Sequence, residues 1–364
     1  MPFIANRGNP SAKIWIVLER PYPSDEKARV LLSGGMGFVY EKMLREAGLD
    51  INNCYCCCRR PDTDRPQDFI IVENELKHWQ PPLILAVNEV GNFFLSELRN
   101  KKDADIYKGQ LQKNAGSLLS SDMLPYPHYM MPVYGPDRCI ADWQERNITT
   151  YVDFQKLRDE LEHVKKHGTL QPLPERKLVY GDLQLSEILQ SFDRFSKSKL
   201  LSIDIETVYP RQKSAFLPHP GYPVTIGMAD SSDYGISFNL FREEPRENRI
   251  LWREMDTLLR GKAILGQNFF NFDALFFEAL GFSISLDRVQ DTLLRHHILW
   301  PELSHKLQFM TRQYTRQPYY KDEGHGWSIK NMDRLRRYNC LDVCVTYEIY
   351  ERQEEEFKLK PHLI

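Results

Sequence analysis

The chain has 364 residues, of which 42% are hydrophobic and 27% charged, a composition typical of a globular protein rather than a disordered one. Its 48 Lys and Arg residues are balanced by 50 Asp and Glu residues, which excludes a generally basic coat for nucleic acid, so any DNA-binding surface is a local patch. Domains of about 150 residues would give two or three in this length. Apolar runs fall short of the roughly 18 residues that span a membrane, and the start lacks a signal-peptide pattern, so we expect a cytoplasmic protein with no membrane partner.

Strand and helix patterns alternate along the first half, which predicts an α/β architecture. The predicted elements are strands at 13–18, 82–87 and 129–134 and helices at 37–47, 89–98 and 151–166. Residues 167–177 then contain Gly168, Pro172 and Pro174 without any hydrophobic periodicity, as a linker does. We therefore expect a first domain at 1–166 and a second at 178–364.

The second half continues the alternation. Its predicted strands are at 178–180, 200–205, 224–229, 235–239 and 263–265, and its predicted helices at 186–195, 252–259, 271–280, 292–299 and 329–352. Seven cysteines are spread over both halves, and four of them crowd into residues 54–58. The odd count and the absence of a partner pair at zinc or iron–sulfur spacing predict reduced, buried thiols rather than disulfides or a metal site.

Two carboxylates end the strand LLSIDIE. Asp204 and Glu206 are two residues apart, so they share one face of the strand, while Ile203 and Ile205 share the other. Like charges side by side at the end of an apolar strand repel each other and imply a bound cation. Taken alone, the pair is equally compatible with a solvated edge.

Two further carboxylates follow at patterned positions. Asp273 ends the segment Gly266–Asp273 (GQNFFNFD), which comes after a strand and leads into a helix. Tyr338 and Asp342 are four residues apart in a later helix and therefore lie on one face, one turn apart. A helix cap at Asp273 or a core tyrosine with a surface aspartate would explain each pattern taken separately.

Together, the patterns Asp-x-Glu, Asn-x4-Asp and Tyr-x3-Asp resemble the three exonuclease motifs of the DEDD superfamily in its tyrosine subtype. That group includes the proofreading 3′–5′ exonuclease domain of family A DNA polymerases. Residues 289–294 (VQDTLL), 304–307 (SHKL) and 318–323 (PYYKDE) resemble further stretches of the family, the last of them in phage-type members. The resemblance covers about residues 178–352 and implies a ribonuclease H-like domain with a mixed sheet.

The resemblance also implies roles for the residues. Two divalent ions, Mg²⁺ or Mn²⁺, would be bridged by Asp204, with Glu206 and Asp342 completing the nucleophile-side site and Asp273 holding the second ion largely through water. Tyr338 would orient the attacking water, since an unperturbed phenol is a poor base at neutral pH. The positions that match those lining a frayed 3′ end are Thr207, Gln267, Asn268 and Phe272. Arg334 precedes Tyr338 by one helical turn and is a candidate phosphate contact, with a solvated helix surface as the alternative.

The first half, residues 11–164, resembles the uracil-DNA glycosylase superfamily, nearest to its iron–sulfur type, which implies a three-layer α/β domain. The likeness is carried by residues 16–21 (IVLERP), the Gly-rich turn at 33–37, the segment from Tyr55 to Pro61, and residues 132–136 (PVYGP). Leu18 and Tyr22 replace two motif glycines, Gly135 replaces the histidine of the family's His-Pro motif, and the cysteine spacing departs from the iron–sulfur pattern. We therefore expect a non-catalytic module that binds DNA or a replication partner.

The resemblance implies a metal-dependent 3′–5′ exonuclease that removes nucleotides from DNA 3′ ends, single-stranded or frayed, as a proofreader in phage-type replication. It would be part of, or partner to, a family A polymerase or other replication proteins, in the host cytoplasm if the chain is viral. Polymerase palm motifs do not follow residue 352, so the chain is either a stand-alone exonuclease or the N-terminal piece of a polymerase, and we favour the second. The alternatives are an RNA-trimming exoribonuclease of the same superfamily and a non-catalytic DNA-binding scaffold.

Overall fold

A computed structural model describes residues 4–58, 68–95, 110–208, 221–324 and 332–360. The chain divides into two compact units, one made of residues 1–173 and 316–319 and the other of residues 174–315 and 320–364. Residues 59–61, part of the segment that resembles a glycosylase turn, lie outside the described residues. Within the described ranges, none of the helices has the length and apolar character needed to cross a membrane.

The first unit contains a parallel sheet. Its strands are β1 (Ile14–Leu18), β2 (Cys54–Cys58), β3 (Leu83–Val87) and β4 (Tyr129–Val133). Its helices are α1 (Pro23–Ala28), α2 (Gly35–Glu46), α3 (Asp68–Trp79), α4 (Val90–Leu95), α5 (Gln110–Asn114), α6 (Pro136–Ala141), α7 (Trp143–Ile148) and α8 (Phe154–His167). In the described part of the unit the strand order is β2-β1-β3-β4, with all neighbours parallel.

Both faces of this sheet are covered, because every residue of β1 is buried. Ile14, Ile16 and Leu18 pack into one hydrophobic core with side chains of α2 and α8, whereas Trp15 and Val17 pack into another with side chains of α3 and α4. A parallel sheet with helices on both faces is a three-layer arrangement. The predicted α/β class is therefore confirmed for this unit.

All seven cysteines are free. Cys54 and Cys56 belong to one of the two cores and Cys57 to the other, and burial raises the pKa of Cys54 to about 12. Six of the seven cysteines are buried and Cys58 is half-buried, so the predicted burial holds for six of them.

The second unit contains a mixed sheet. Its strands are β5 (Lys177–Val179), β6 (Leu200–Val208), β7 (Tyr222–Ser231), β8 (Tyr234–Asn239), β9 (Ala263–Gly266) and β10 (Val289–Asp291). Its helices are α9 (Leu185–Ser196), α10 (Pro245–Leu259), α11 (Asp273–Ala279), α12 (Thr292–Leu299), α13 (Leu307–Tyr314) and α14 (Met332–Leu359). Across the described strands the order is β10-β9-β6-β7-β8-β5, antiparallel at β6–β7 and β7–β8 and parallel elsewhere. The predicted mixed sheet is confirmed.

Strand β6 lies in the middle of this sheet, and its two faces differ. Ile203 and Ile205 are 1% and 3% exposed and pack into the main core of the unit. Helix α14 packs against β6, β7 and β8. As a result, the side chains of α14 and the carboxylates of β6 are brought together on the same side of the sheet.

Several predicted boundaries are wrong. The helix predicted at 151–166 starts instead as a π-helical turn at Thr149–Asp153 that continues into α8, and α14 runs to Leu359 rather than to Arg352. Helices α6 and α7 were not predicted, since six residues are too few to show a helical period. These differences leave the position of β6 in the sheet unchanged.

Candidate active site

Three of the predicted carboxylates converge. The side chains of Asp204, Glu206 and Asp342 offer oxygens that all lie within 4.8 Å of one another. They open into a cleft of about 590 Å³ that Tyr338 also lines. Period-2 spacing in β6 and i,i+4 spacing in α14 thus bring these four residues to one place, as the sequence predicted.

Asp273 lies just outside that cluster. It begins α11, is 1% exposed, and its Oδ1 accepts a hydrogen bond of 2.9 Å from the backbone N–H of Ile205. Burial first, and then the charge of Asp204, raises the pKa of Asp273 well above its usual range. Asp273 therefore supports β6 between the two carboxylates of that strand, next to the cluster rather than within it.

The close approach of these acids affects their protonation. Burial, and after it the charge of Asp342, raises the pKa of Asp204 to about 7. Burial, followed by the charges of Asp204 and Asp342, raises the pKa of Glu206 well above its usual range. Carboxylates that destabilise one another in this way are suited to bind a divalent cation, because its charge neutralises theirs. Their oxygens are the hard ligands that Mg²⁺ and Mn²⁺ prefer.

Asp204 is held by a chain of buried polar groups. Asn339 Nδ2 donates to the Oδ2 of Asp204 at 2.7 Å and to its backbone oxygen at 3.1 Å. Ser237 Oγ donates to Asn339 Oδ1 at 2.8 Å and also pairs with Thr225 Oγ1 at 2.8 Å. Asn339, Ser237 and Thr225 are fully buried, so this chain of hydrogen bonds orients Asp204 from below the cleft.

Gly227 provides the room for this arrangement. It pairs with Asp204 in the β6–β7 ladder, and a Cβ atom at this position would lie 2.7 Å from Asn339 Oδ1. A residue with a side chain would displace Asn339 from its contact with Asp204.

Asp342 receives hydrogen bonds from two consecutive residues, Tyr320 and Lys321, which precede it by more than 20 positions. Tyr320 Oη donates to its Oδ1 at 2.5 Å, and Lys321 Nζ contacts Oδ1 at 2.8 Å and Oδ2 at 2.7 Å. Lys321 Nζ also donates to the hydroxyl of Tyr338 at 2.9 Å. Burial, followed by the charge of Asp342, raises the pKa of Tyr338 above its usual range, so the phenol is neutral and serves as a hydrogen-bonding group.

Three of the predicted substrate residues, Thr207, Gln267 and Phe272, line the cleft. Phe272 is half-buried beside Asp273, and the Gln267 amide donates to the backbone oxygen of His305 at 2.9 Å and accepts from Thr292 Oγ1 at 2.5 Å. The amide of Gln267 is thus held by the protein itself at both ends.

Asn268 and Arg334 are not brought to the cleft lining. Asn268 adopts a left-handed conformation with φ of 59°, and its backbone N–H donates to Asp291 Oδ1 at 2.9 Å. Arg334 is exposed and donates to the backbone oxygen of Asp322 at 2.6 Å. It therefore lies on a solvated helix surface, which was the alternative to a phosphate contact. Both remain predicted substrate residues without structural support.

Sequence reasoning missed three residues of this site. Tyr320 and Lys321 stand in the PYYKDE stretch, where the resemblance supplied a family likeness but no role, and Asn339 stands inside the Tyr-x3-Asp pattern. A carboxylate cluster needs compensating donors, and the available signal was a tyrosine and a lysine in the PYYKDE stretch and an asparagine within the Tyr-x3-Asp pattern.

Comparisons with known proteins give partial similarity. No protein-family model matches the chain, and no curated protein sequence matches it significantly. Among solved structures it is similar to the catalytic core of RRP6 from Trypanosoma brucei, at 11% identity and a TM-score of 0.38 over 53% of this chain and 51% of that one. It is also similar to Escherichia coli RNase D, described as an exoribonuclease involved in structured RNA processing, at 15% identity and a TM-score of 0.38 over 52% and 48% of the two chains.

A third similar structure is the POL domain of Pol1 from M. smegmatis in complex with a DNA primer-template and dNTP. Its identity is 10% and its TM-score 0.36, over 50% of this chain and 28% of that one. The chain therefore spans about half the length of the RRP6 catalytic core and of the RNase D chain, and 28% of the Pol1 chain.

Proposed function

We propose that the second unit is a metal-dependent 3′–5′ exonuclease of the DEDD type that removes nucleotides from DNA 3′ ends. The observation that carries the proposal is the convergence of Asp204, Glu206 and Asp342 within 4.8 Å, in a cleft shared with Tyr338. These are the residues that the motif resemblance names. A binding scaffold has no need to gather like charges at the expense of its own stability.

The residues divide the work of phosphodiester hydrolysis. Bound divalent ions would supply an activated water and neutralise charge on the attacking and leaving oxygens. Asp204, Glu206 and Asp342 would hold the ions. Asp273 accepts a hydrogen bond from the Ile205 N–H and so fixes the strand that carries Asp204 and Glu206. Tyr338, a neutral phenol at the cleft wall, would orient the attacking water through its hydroxyl.

The cleft suits a single-stranded 3′ end. Phe272 offers an aromatic surface on which a base can stack, and stacking of this kind tolerates any base. Thr207, on the strand that carries Asp204 and Glu206, adds a hydroxyl to the lining of the same cleft. A 3′-terminal nucleotide held by stacking would have its phosphate towards the carboxylates. The enzyme would then bind 3′ ends irrespective of base sequence.

DNA, rather than RNA, is proposed as the substrate because the motif set most resembles the proofreading domain of phage-type family A polymerases. We propose accordingly that the chain acts in DNA replication, as part of a polymerase or beside one, in the cytoplasm, which is that of the host if the chain is viral. The second candidate, an RNA-trimming exoribonuclease of the same superfamily, has the same carboxylates and is separated from the first by substrate preference alone.

The first unit is proposed to be a non-catalytic, glycosylase-like module. The position of the missing histidine is Gly135, where a Cβ atom would lie within 2.6 Å of Tyr22 Oη, Asn88 Nδ2 and Asp137 Oδ1. This part of the unit is filled by its own side chains. A uracil-containing oligonucleotide incubated with the full chain in EDTA should keep its uracil, and release of the base would overturn this part of the proposal.

The central experiment uses the full chain on 5′-labelled oligonucleotides: a 3′-mismatched DNA duplex, single-stranded DNA and single-stranded RNA, each with Mg²⁺ or EDTA. We expect Mg²⁺-dependent shortening of DNA from the 3′ end, abolished by Asp204→Ala and retained by Asp193→Ala, which removes an exposed carboxylate of α9. Cleavage that survives Asp204→Ala or EDTA contradicts the assignment of the site. Faster trimming of RNA than of DNA selects the exoribonuclease.

A further inference from the structure

Lys321 places a positive charge inside the carboxylate cluster. Its side chain is 16% exposed, and its Nζ lies 2.7 and 2.8 Å from the two oxygens of Asp342 and 2.9 Å from the Tyr338 hydroxyl. An ammonium group has three N–H donors, so these three contacts use all of them. The charge of Lys321 also lowers the pKa of Asp204 and of Glu206, against the larger effects of burial that raise them, so the ammonium acts on all three acids.

The position of Lys321 is built into the surrounding chain. Its neighbour Tyr320 is 5% exposed and is anchored to Asp342 by a hydrogen bond of 2.5 Å. Lys321 opens a 3₁₀ turn, Lys321–Gly324, whose last residue packs so closely that a Cβ atom there would lie 2.9 Å from Cζ of Tyr338. With contacts at both ends of this turn, the ammonium is directed to the cluster.

An ammonium and a divalent ion need the same atoms of Asp342. A carboxylate offers about four lone-pair sites, and Tyr320 and Lys321 together contact three of those on Asp342. Two cations a few ångströms apart also repel each other. An ion held by Glu206 and Asp342 therefore finds about one oxygen site of Asp342 open, and it competes with Lys321 for the others and with its charge.

We propose that Lys321 is a built-in competitor for the divalent cation, which sets the affinity of the Glu206–Asp342 site and neutralises the acids when the ion leaves. The proposal rests on the cation site of the proposed function. It makes Lys321 a positioning residue with two opposite effects: it stabilises the fold without the ion and weakens the binding of the ion.

The test measures Mn²⁺ binding to the full chain by electron paramagnetic resonance, with no substrate present. Lys321→Met should bind Mn²⁺ at least about tenfold more tightly than the parent, because the competing charge is gone. Lys321→Gln, which keeps a donor without the charge, should show the same gain, whereas Lys321→Arg should resemble the parent. The control is Lys197→Met, which removes an exposed lysine paired with Asp193 and should leave the affinity unchanged.

Thermal unfolding supplies the second readout. In EDTA, Lys321→Met should unfold at a lower temperature than the parent, and saturating Mn²⁺ should raise its midpoint by more than it raises that of the parent. If Lys321 had a merely structural role, its replacement would lower the thermal midpoint equally with and without Mn²⁺.

Equal or weaker Mn²⁺ binding by both uncharged variants overturns the role of Lys321 while leaving the proposed nuclease intact. Failure of the parent itself to bind Mn²⁺ overturns the cation site and the proposed function with it. Because Gln and Arg preserve polar contacts that Met removes, a folding defect confined to Lys321→Met leaves the comparison decided by the other two variants.

Discussion

Each unit of this chain gathers an aspartate, a tyrosine and an asparagine into a polar cluster, but the two clusters differ in charge. In the first unit Asp137 accepts hydrogen bonds from Tyr22 Oη at 2.9 Å and Asn88 Nδ2 at 3.3 Å. Tyr22, Asn88 and Asp137 come shortly after the ends of β1, β3 and β4, in that order. In the second, Asn339 contacts Asp204, and Asp342 and Glu206 stand within 4.8 Å of it.

The difference shows what separates a satisfied polar cluster from a candidate catalytic one. A single carboxylate with two donors is stable as it stands, so it demands no ligand. In the second unit, burial and then the charges of the neighbouring carboxylates raise the pKa of Asp204 and of Glu206, and such a cluster demands a cation. We therefore expect substitution of these residue types to reduce cleavage in the second unit and to leave it unchanged in the first.

The largest expected effect comes from the aspartates. Asp204→Asn should reduce cleavage of DNA 3′ ends by at least about a thousandfold, because it removes a ligand charge at the centre of the cluster. Asp137→Asn is the matched control in the first unit and should leave the rate unchanged. Rates are followed by gel electrophoresis of a labelled oligonucleotide, and a comparable loss in both variants would contradict the distinction between the units.

The tyrosines come next. Tyr338→Phe should slow cleavage by about a hundredfold, since it removes the hydroxyl that is proposed to orient the water while leaving every carboxylate in place. Mn²⁺ affinity, measured in parallel, should change little. Tyr22→Phe serves as the control, and a Tyr338→Phe enzyme that cleaves at the parental rate would show that the phenol has no part in the reaction.

The asparagines should separate stability from activity. Asn339→Ala leaves Ser237 and Asp204 without their shared partner, so we expect a loss of about 2 kcal/mol in the free energy of unfolding and, through misplacement of Asp204, about a tenfold loss of rate. Asn88→Ala should lower stability too, because Asn88 adopts a left-handed φ of 56° and accepts a hydrogen bond from Gly135 N–H. Urea unfolding and initial rates distinguish the two: a rate loss in Asn88→Ala would break the comparison.

The last expected effect is a pH dependence of stability. Asp204 has a pKa of about 7 in the folded chain, against about 3.9 in an unfolded one. The folded state thus binds this proton more tightly, so the free energy of unfolding should fall as pH rises from about 4 to about 7 and should change no further above that. In EDTA, Asp204→Asn should show a weaker fall of the thermal midpoint over this range, whereas Asp137→Asn should keep the parental slope.

Sequence patterns predicted the parts of the site that local geometry dictates. The period of two in a strand placed Asp204 and Glu206 on one face, and one helical turn placed Tyr338 beside Asp342. Both patterns are properties of the backbone and hold wherever the strand and the helix form. The α/β class followed from alternating patterns in the same way.

The rest depends on contacts between distant segments. Lys321 reaches Asp342 from a 3₁₀ turn 21 positions earlier in the chain, and Asn339 reaches Asp204 across 135 positions. Neither distance leaves a periodic trace in the sequence. Arg334 shows that closeness in sequence is not sufficient either, since it shares a helix with Tyr338 but donates to the backbone oxygen of Asp322.

Gly227 has a consequence for how substitutions would be tolerated along this chain. Because a methyl group there would press on Asn339, Gly227→Ala disturbs the orientation of Asp204 from a position that touches no substrate. A screen for loss of cleavage should therefore recover changes at Gly227 together with changes at the carboxylates. The inactivating positions would extend from β6 to its antiparallel neighbour β7, and a sequence that keeps all four acids but carries a bulkier residue at position 227 should be suspected of having lost the activity.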